Sequence, residues 1–130
     1  MPAVARLRSV VLDCPDPHAL AGFYAGLGGG TPRAEDDDWV VLAIPGGPRL
    51  SFQRAPGLTA PEWPRADRNA QQLHLDFDAG STWEEMDAAH ERVLALGARP
   101  LDLEDSEKKD FRVYADPAGH PFCLCRIEHP

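Results

Sequence analysis

The chain has 130 residues, of which 43% are hydrophobic and 26% charged, the balance of one compact globular domain or two small fused units. A net charge of −8 and a pI near 4.9 argue against nucleic acid as a partner, because phosphates call for a basic footprint. No apolar run approaches the ~20 residues that cross a bilayer, and Met1 to Arg6 carry no signal-peptide core, so no membrane partner and a cytoplasmic location are expected.

Leu7 to Cys14 reads as a first strand, with Val10 and Leu12 toward a helix and Ser9, Val11 and Asp13 opposite. Asp16-Pro17 opens that helix as cap and first residue, Leu20, Phe23, Tyr24 and Leu27 form its apolar stripe, and Gly28-Gly29-Gly30 ends it. A short strand is predicted from Thr31 to Ala34, then a solvated acidic turn over Glu35 to Asp38. Trp39 to Ile44 and Arg49 to Arg54 read as strands joined by a Pro45-Gly46-Gly47-Pro48 turn. Residues 56–70, with Pro56, Pro61 and Pro64, read as a linker.

Gln71 to Asp78 alternates apolar and polar residues, the period of a half-buried strand. Leu73, Leu75 and Phe77 are predicted to lie under a helix, and His74, Asp76 and Asp78 to face a cavity. Ser81-Thr82-Trp83-Glu84 has the form of a capping box opening a helix to Leu96, with Met86, Ala89, Val93 and Leu96 as its buried stripe and Gly97 as its cap. Arg99 to Leu103 is a short predicted strand, Leu103 to Asp110 a charged turn, and Phe111 to Ala115 and Pro121 to Ile127 are strands around an Asp116-Pro117-Ala118-Gly119 turn.

The second half repeats the first. The segment from Asp38 to Gly47 lies over that from Asp110 to Gly119 without a gap, with Asp38/Asp110, Val41/Val113, Ala43/Ala115, Pro45/Pro117 and Gly47/Gly119 identical. The predicted fold is therefore α+β, two tandem βαβββ modules forming a curved mixed sheet, with module one at 5–55 and module two at 71–128 of a single domain.

These residues resemble the vicinal oxygen chelate superfamily, the glyoxalase and bleomycin-resistance-like proteins. The likeness spans nearly the whole chain. It is carried by Val10-Val11-Leu12-Asp13, Asp16-Pro17, Phe23-Tyr24, Leu27-Gly28, Leu73-His74-Leu75-Asp76, Ala95-Leu96-Gly97-Ala98 and the run from Asp116 to Phe122. It implies a cup between the two modules. The resemblance also implies that metal-dependent members ligate a divalent ion at the positions of Ser9, Ser51, His74 and Cys123. Only His74 is the usual ligand type, so no metal cofactor is expected, and a divalent ion is disfavoured.

His74 is the candidate catalytic group, its ordinary pKa suiting proton transfer, with Asp76 placed to orient it or to bind a cation. Its alternatives are a ligand contact, a metal ligand, or simple hydrogen bonding to a neighbouring strand. Cys123 and Cys125 lie about 6.5 Å apart on one strand face, poor spacing for a disulfide. With His74 and Asp76 they would make a soft zinc or copper site, though small core residues are the commoner use of free cysteine. Ser9, Ser51 and Gln53 add neutral hydrogen-bonding groups, and Trp39, Phe111 and Tyr114 are candidate aromatic walls. The register of the third and seventh strands, which decides the facing of those rings, is open at this level. Trp63 is placed either to cap the cup or to pack on a second subunit.

A small-molecule ligand held in the cup without a catalytic metal is the expected function, in the manner of drug-sequestering resistance proteins. The alternative is a lyase, isomerase or dioxygenase using His74 as a base or within an atypical metal site. Family resemblance also implies a homodimer.

Overall fold

A computed structural model describes residues 3–105 and 109–127. The chain falls into two compact units, Met1–Leu58 and Thr59–Pro130, each a βαβββ module. The two-module α+β architecture predicted from the repeat is present, as two four-stranded mixed sheets.

In the first unit β1 (Val10–Cys14) leads into α1 (Pro17–Gly28), followed by β2 (Arg33–Asp36), β3 (Trp39–Ala43) and β4 (Arg49–Arg54). The sheet order is β1-β4-β3-β2, with β1 and β4 parallel and the other pairs antiparallel. Asp16 caps α1 by accepting from the N–H groups of His18 and Ala19 at 3.1 and 3.2 Å. The helix packs on the sheet through Leu20, Phe23 and Tyr24, all buried against Leu12, Leu42, Leu50 and Phe52. Tyr24 stacks on Phe52 at 5.8 Å and meets Phe23 edge-on at 5.0 Å. The second strand starts two residues later than predicted and absorbs Glu35 and Asp36, pairing across Trp39 through a bulge.

The second unit repeats the scheme with β5 (Leu75–Gly80), α2 (Trp83–Leu96), β6 (Arg99–Asp102), β7 (Phe111–Ala115) and β8 (Pro121–Arg126), in the order β5-β8-β7-β6. Of the charged turn predicted over 103–110, residues 106–108 lie outside the described residues. The hairpins of the two units correspond in detail. Arg54 N–H donates to the Asp38 carbonyl at 2.8 Å, and Arg126 N–H to the Asp110 carbonyl at 2.7 Å. The same residues also pair by side chain, at 3.5 and 2.7 Å.

Three local expectations are corrected. The fifth strand begins at Leu75 rather than Gln71, because its first ladder partner is Phe122 and the preceding Pro121 has no N–H to offer. Leu73 consequently stands 56% exposed instead of lying under the helix. The cap of α2 is Thr82, not Ser81: its hydroxyl accepts from Glu85 N–H at 3.1 Å, while Glu85 accepts from both hydroxyls. The buried stripe of α2 narrows to Met86 and Val93, and Leu96 is 38% exposed.

Candidate functional site

The alternation of β5 and β8 builds the site. These strands run parallel with Leu75 opposite Phe122, Asp76 opposite Cys123 and Asp78 opposite Cys125. Leu75, Phe77, Phe122 and Leu124 turn toward α2, so His74, Asp76, Cys123 and Cys125 share the other face. Antiparallel β7 sets Phe111 against Cys125 and Val113 against Cys123 on that same face.

His74 Nε2 lies 3.2 Å from Asp76 Oδ1, with the two side chains 41% and 61% exposed. Cys123 is buried beneath them, and one donor atom from each of the three residues lies within 4.8 Å of the others. Burial, reinforced by the Asp76 carboxylate, pushes the Cys123 thiol up to about 12, and burial with Asp76 and Asp78 pushes Cys125 up to about 11. Both are thiols at neutral pH, which disfavours either as an unaided nucleophile.

Around this cluster is a pocket of about 230 Å³, completed by Trp63, Phe111, Val113, Pro121 and Gln71. Gln71 Oε1 is buried without a hydrogen-bond partner among the described residues, an acceptor available to an incoming donor. Trp63 reaches the pocket because the predicted linker is a stapled turn rather than a loose tether. The Glu62 carboxylate accepts from Arg68 at 3.0 and 3.1 Å and from Asn69 Nδ2 at 2.5 Å, while Glu62 N–H donates to the Asn69 carbonyl at 2.8 Å. Those bonds hold the Glu62 carboxyl below its ordinary pKa, Arg68 contributing most. Gln71, Pro121 and the Glu62 staple were not evident from sequence, since no periodic pattern marks a turn closed by its own side chains.

Tyr114 does not line this pocket, contrary to expectation. Parity along β7 turns it to the helix side, where it is fully buried, bonded to His90 Nδ1 at 2.8 Å and stacked on Phe122 at 5.5 Å. Beside it Arg112 bridges Asp105 and the α2 residue Asp87, lying over Trp83, whose ring also meets Arg126 at 4.7 Å.

The remaining candidates lie in the first unit. Val11 pairs with Ser51 and Asp13 with Gln53, which puts Ser9 and Ser51 where the second unit has His74 and Cys123. Ser51 is buried and donates to Ser9 Oγ at 3.2 Å. Trp39 pairs with Gln53 across the ladder, and both line a shallow depression with Asp36, Asp38 and Arg54. As a metal set the four positions Ser9, Ser51, His74 and Cys123 do not fit a hard divalent ion: two are neutral hydroxyls bonded to each other, and one is a thiol.

The model of the Glyoxalase-like domain family matches residues 9–125. A glyoxalase/bleomycin resistance protein/dioxygenase family enzyme from Burkholderia phytofirmans is similar in structure, with a TM-score of 0.73 at 19% identity over 95% of this chain and 99% of that one. The hypothetical protein SA1046 from S. aureus gives 0.70 at 18% identity, over 96% of this chain and 100% of the other. A point mutant of the fosfomycin resistance protein FosX from Listeria monocytogenes, complexed with Mn(II) and 1S,2S-dihydroxypropylphosphonic acid, gives 0.67 at 16% identity, over 95% of this chain and 90% of that one. No curated protein sequence matches.

Proposed function

The chain belongs to the glyoxalase-like domain family of the vicinal oxygen chelate superfamily, and on that premise we propose that it binds a small organic ligand on the open face of its second sheet, without a catalytic metal held jointly by Ser9, Ser51, His74 and Cys123. The observation that carries this reading is the pocket itself. It combines two aromatic rings, Trp63 and Phe111, with the His74–Asp76 pair and an unsatisfied amide oxygen on Gln71.

Among the described residues no lysine or arginine lines the pocket, and the chain carries a net charge of −8, so a ligand with a cationic group beside a planar one is favoured. Its volume, about 230 Å³, is below the roughly 300–1,000 Å³ of sites for drug-sized molecules. The second unit by itself therefore suits a compact molecule. Sequestration of a toxic compound, as in resistance proteins of this fold, is the role we assign to such binding. Three free cysteines accord with a cytoplasmic protein, no helix among the described residues is long and apolar enough to cross a membrane, and we propose a homodimer of single-domain chains.

Titration calorimetry with compact cationic aromatics tests the reading. Saturable binding that Asp76→Asn weakens about tenfold supports it; no heat from any member of the panel, or binding indifferent to Asp76→Asn and Phe111→Ala, overturns it. The His74–Asp76 contact of 3.2 Å favours one second reading, an isomerase, lyase or dioxygenase in which Asp76 orients His74 as a general base. That enzyme would lose turnover in His74→Ala while keeping its affinity for substrate.

A further inference from the structure

We infer that Cys123, Asp76 and His74 form a site for a thiophilic divalent cation of the zinc type, contained wholly within the second unit. It differs from the four-position arrangement described above: Asp76 is not among those positions, and no residue of the first unit takes part. It also goes beyond the organic-ligand reading and does not depend on it.

The geometry is largely built by the backbone. Parallel pairing sets Asp76 directly beside Cys123, and His74 stands two residues earlier on the same face. The three donor atoms already lie within 4.8 Å of one another. Tetrahedral zinc with ordinary bonds to sulfur, nitrogen and oxygen spaces its donors about 3.4–3.6 Å apart. Closing the difference falls to His74 and Asp76, whose side chains are 41% and 61% exposed, with buried Cys123 as the anchor.

Donor chemistry selects the ion. One sulfur, one imidazole and one carboxylate suit zinc, whereas magnesium and manganese prefer oxygen. Cys125, next along the same face, is the fourth protein donor if the site closes. If it stays open, a water takes that place, and Gln71 Oε1, unpartnered among the described residues in the same pocket, is available to accept a hydrogen bond from it.

The test uses the full, untagged chain, purified reduced and treated with a chelator. Zinc is titrated against a chromophoric chelator, and cobalt(II) is added separately as a spectroscopic probe. The expected result is one equivalent of zinc, at least about a hundredfold tighter than manganese, and an intense thiolate-to-cobalt charge-transfer band. In a Cys125→Ser background that band should persist, and adding Cys123→Ser there should abolish it, while Asp76→Asn should weaken zinc binding about tenfold or more. Ser51→Ala should change neither. A charge-transfer band that survives Cys123→Ser in the Cys125→Ser background, manganese binding as tightly as zinc, or zinc binding of equal strength in all variants would overturn the site. Should Cys123→Ser fail to fold, Asp76→Asn, a change at an exposed side chain, still decides the matter: unchanged zinc affinity there refutes it. The organic-ligand reading is scored separately, since its calorimetry is run on the metal-free protein.

Discussion

Arg112 clamps Asp105 through two parallel bonds, Nε to Oδ1 at 2.9 Å and Nη2 to Oδ2 at 2.6 Å, with its own side chain only 8% exposed. A further bond to Asp87 at 2.9 Å ties the pair to α2. Replacing Arg112 by Met keeps the buried stem but removes all three bonds and the contact with Trp83. Because both carboxylates remain open to water, the cost should be nearer about 2 kcal/mol than the 3–5 of a fully buried pair, read as a lower urea midpoint with unchanged slope.

The same clamp sets an acid limb. The Arg112 bond holds the Asp105 carboxyl below its ordinary value of 3.8. Its contribution is therefore complete above that value and lost as pH falls through the lower folded pKa. Thermal melts between about pH 5 and 2 should fall less steeply in Arg112→Met than in the parent.

The thiols set an alkaline limb of opposite sign. Cys123 is raised from an ordinary 9.0 to about 12, so its stabilising share is intact below 9.0 and lost as pH climbs toward 12. At neutral pH alkylation of the native protein should be far slower than of the unfolded chain, as followed by mass spectrometry. Asp76→Asn should speed modification of Cys123, because it removes a negative charge that holds the proton on.

Gly30 and Gly22 make a contrasting pair. Gly30 has φ +92, and a Cβ there would lie 2.5 Å from the Ala43 carbonyl oxygen, so Gly30→Ala should cost about 2–3 kcal/mol. Gly22 sits on the exposed side of α1, where an added methyl would meet nothing within 4 Å, and Gly22→Ala should stabilise by about 0.5–1 kcal/mol. Denaturant melts of the two variants should move in opposite directions.

Tyr114→Phe should cost about 1 kcal/mol by orphaning His90 Nδ1, while the ring stack on Phe122 survives. Ligand affinity should not change. Phe111→Ala, on the other face of the same strand, should weaken binding with little loss of stability, because its side is 41% exposed.

Much of this arrangement was legible in the sequence where local patterns decide it. Asp16-Pro17 marked the start of α1, and the Arg49 to Arg54 strand was placed to the residue. Alternation put His74 and Asp76 on one face of their strand and Cys123 with Cys125 on one face of theirs, whereas bringing the two faces together rested on the family resemblance. Where two local signals overlapped, the reading slipped by one: Ser81 and Thr82 each precede a glutamate at capping distance, and it is Thr82 whose hydroxyl accepts from the helix, at Glu85 N–H. Tyr114 was misplaced because parity on β7 depends on its pairing with β8, a non-local matter. Trp63 and Gln71 owe their positions to the contacts of Glu62 with Arg68 and Asn69, which leave no trace in periodicity.

The hydrogen bond between Ser9 and Ser51 has a wider consequence. Where the second copy has His74 and Cys123, the first holds two hydroxyls, one donating to the other, and neither is an imidazole or a soft donor. Duplication has left this molecule with its own internal blank. Installing histidine, aspartate and cysteine at Ser9, Val11 and Ser51 would show whether the scaffold of the first copy can host the donor set of the second.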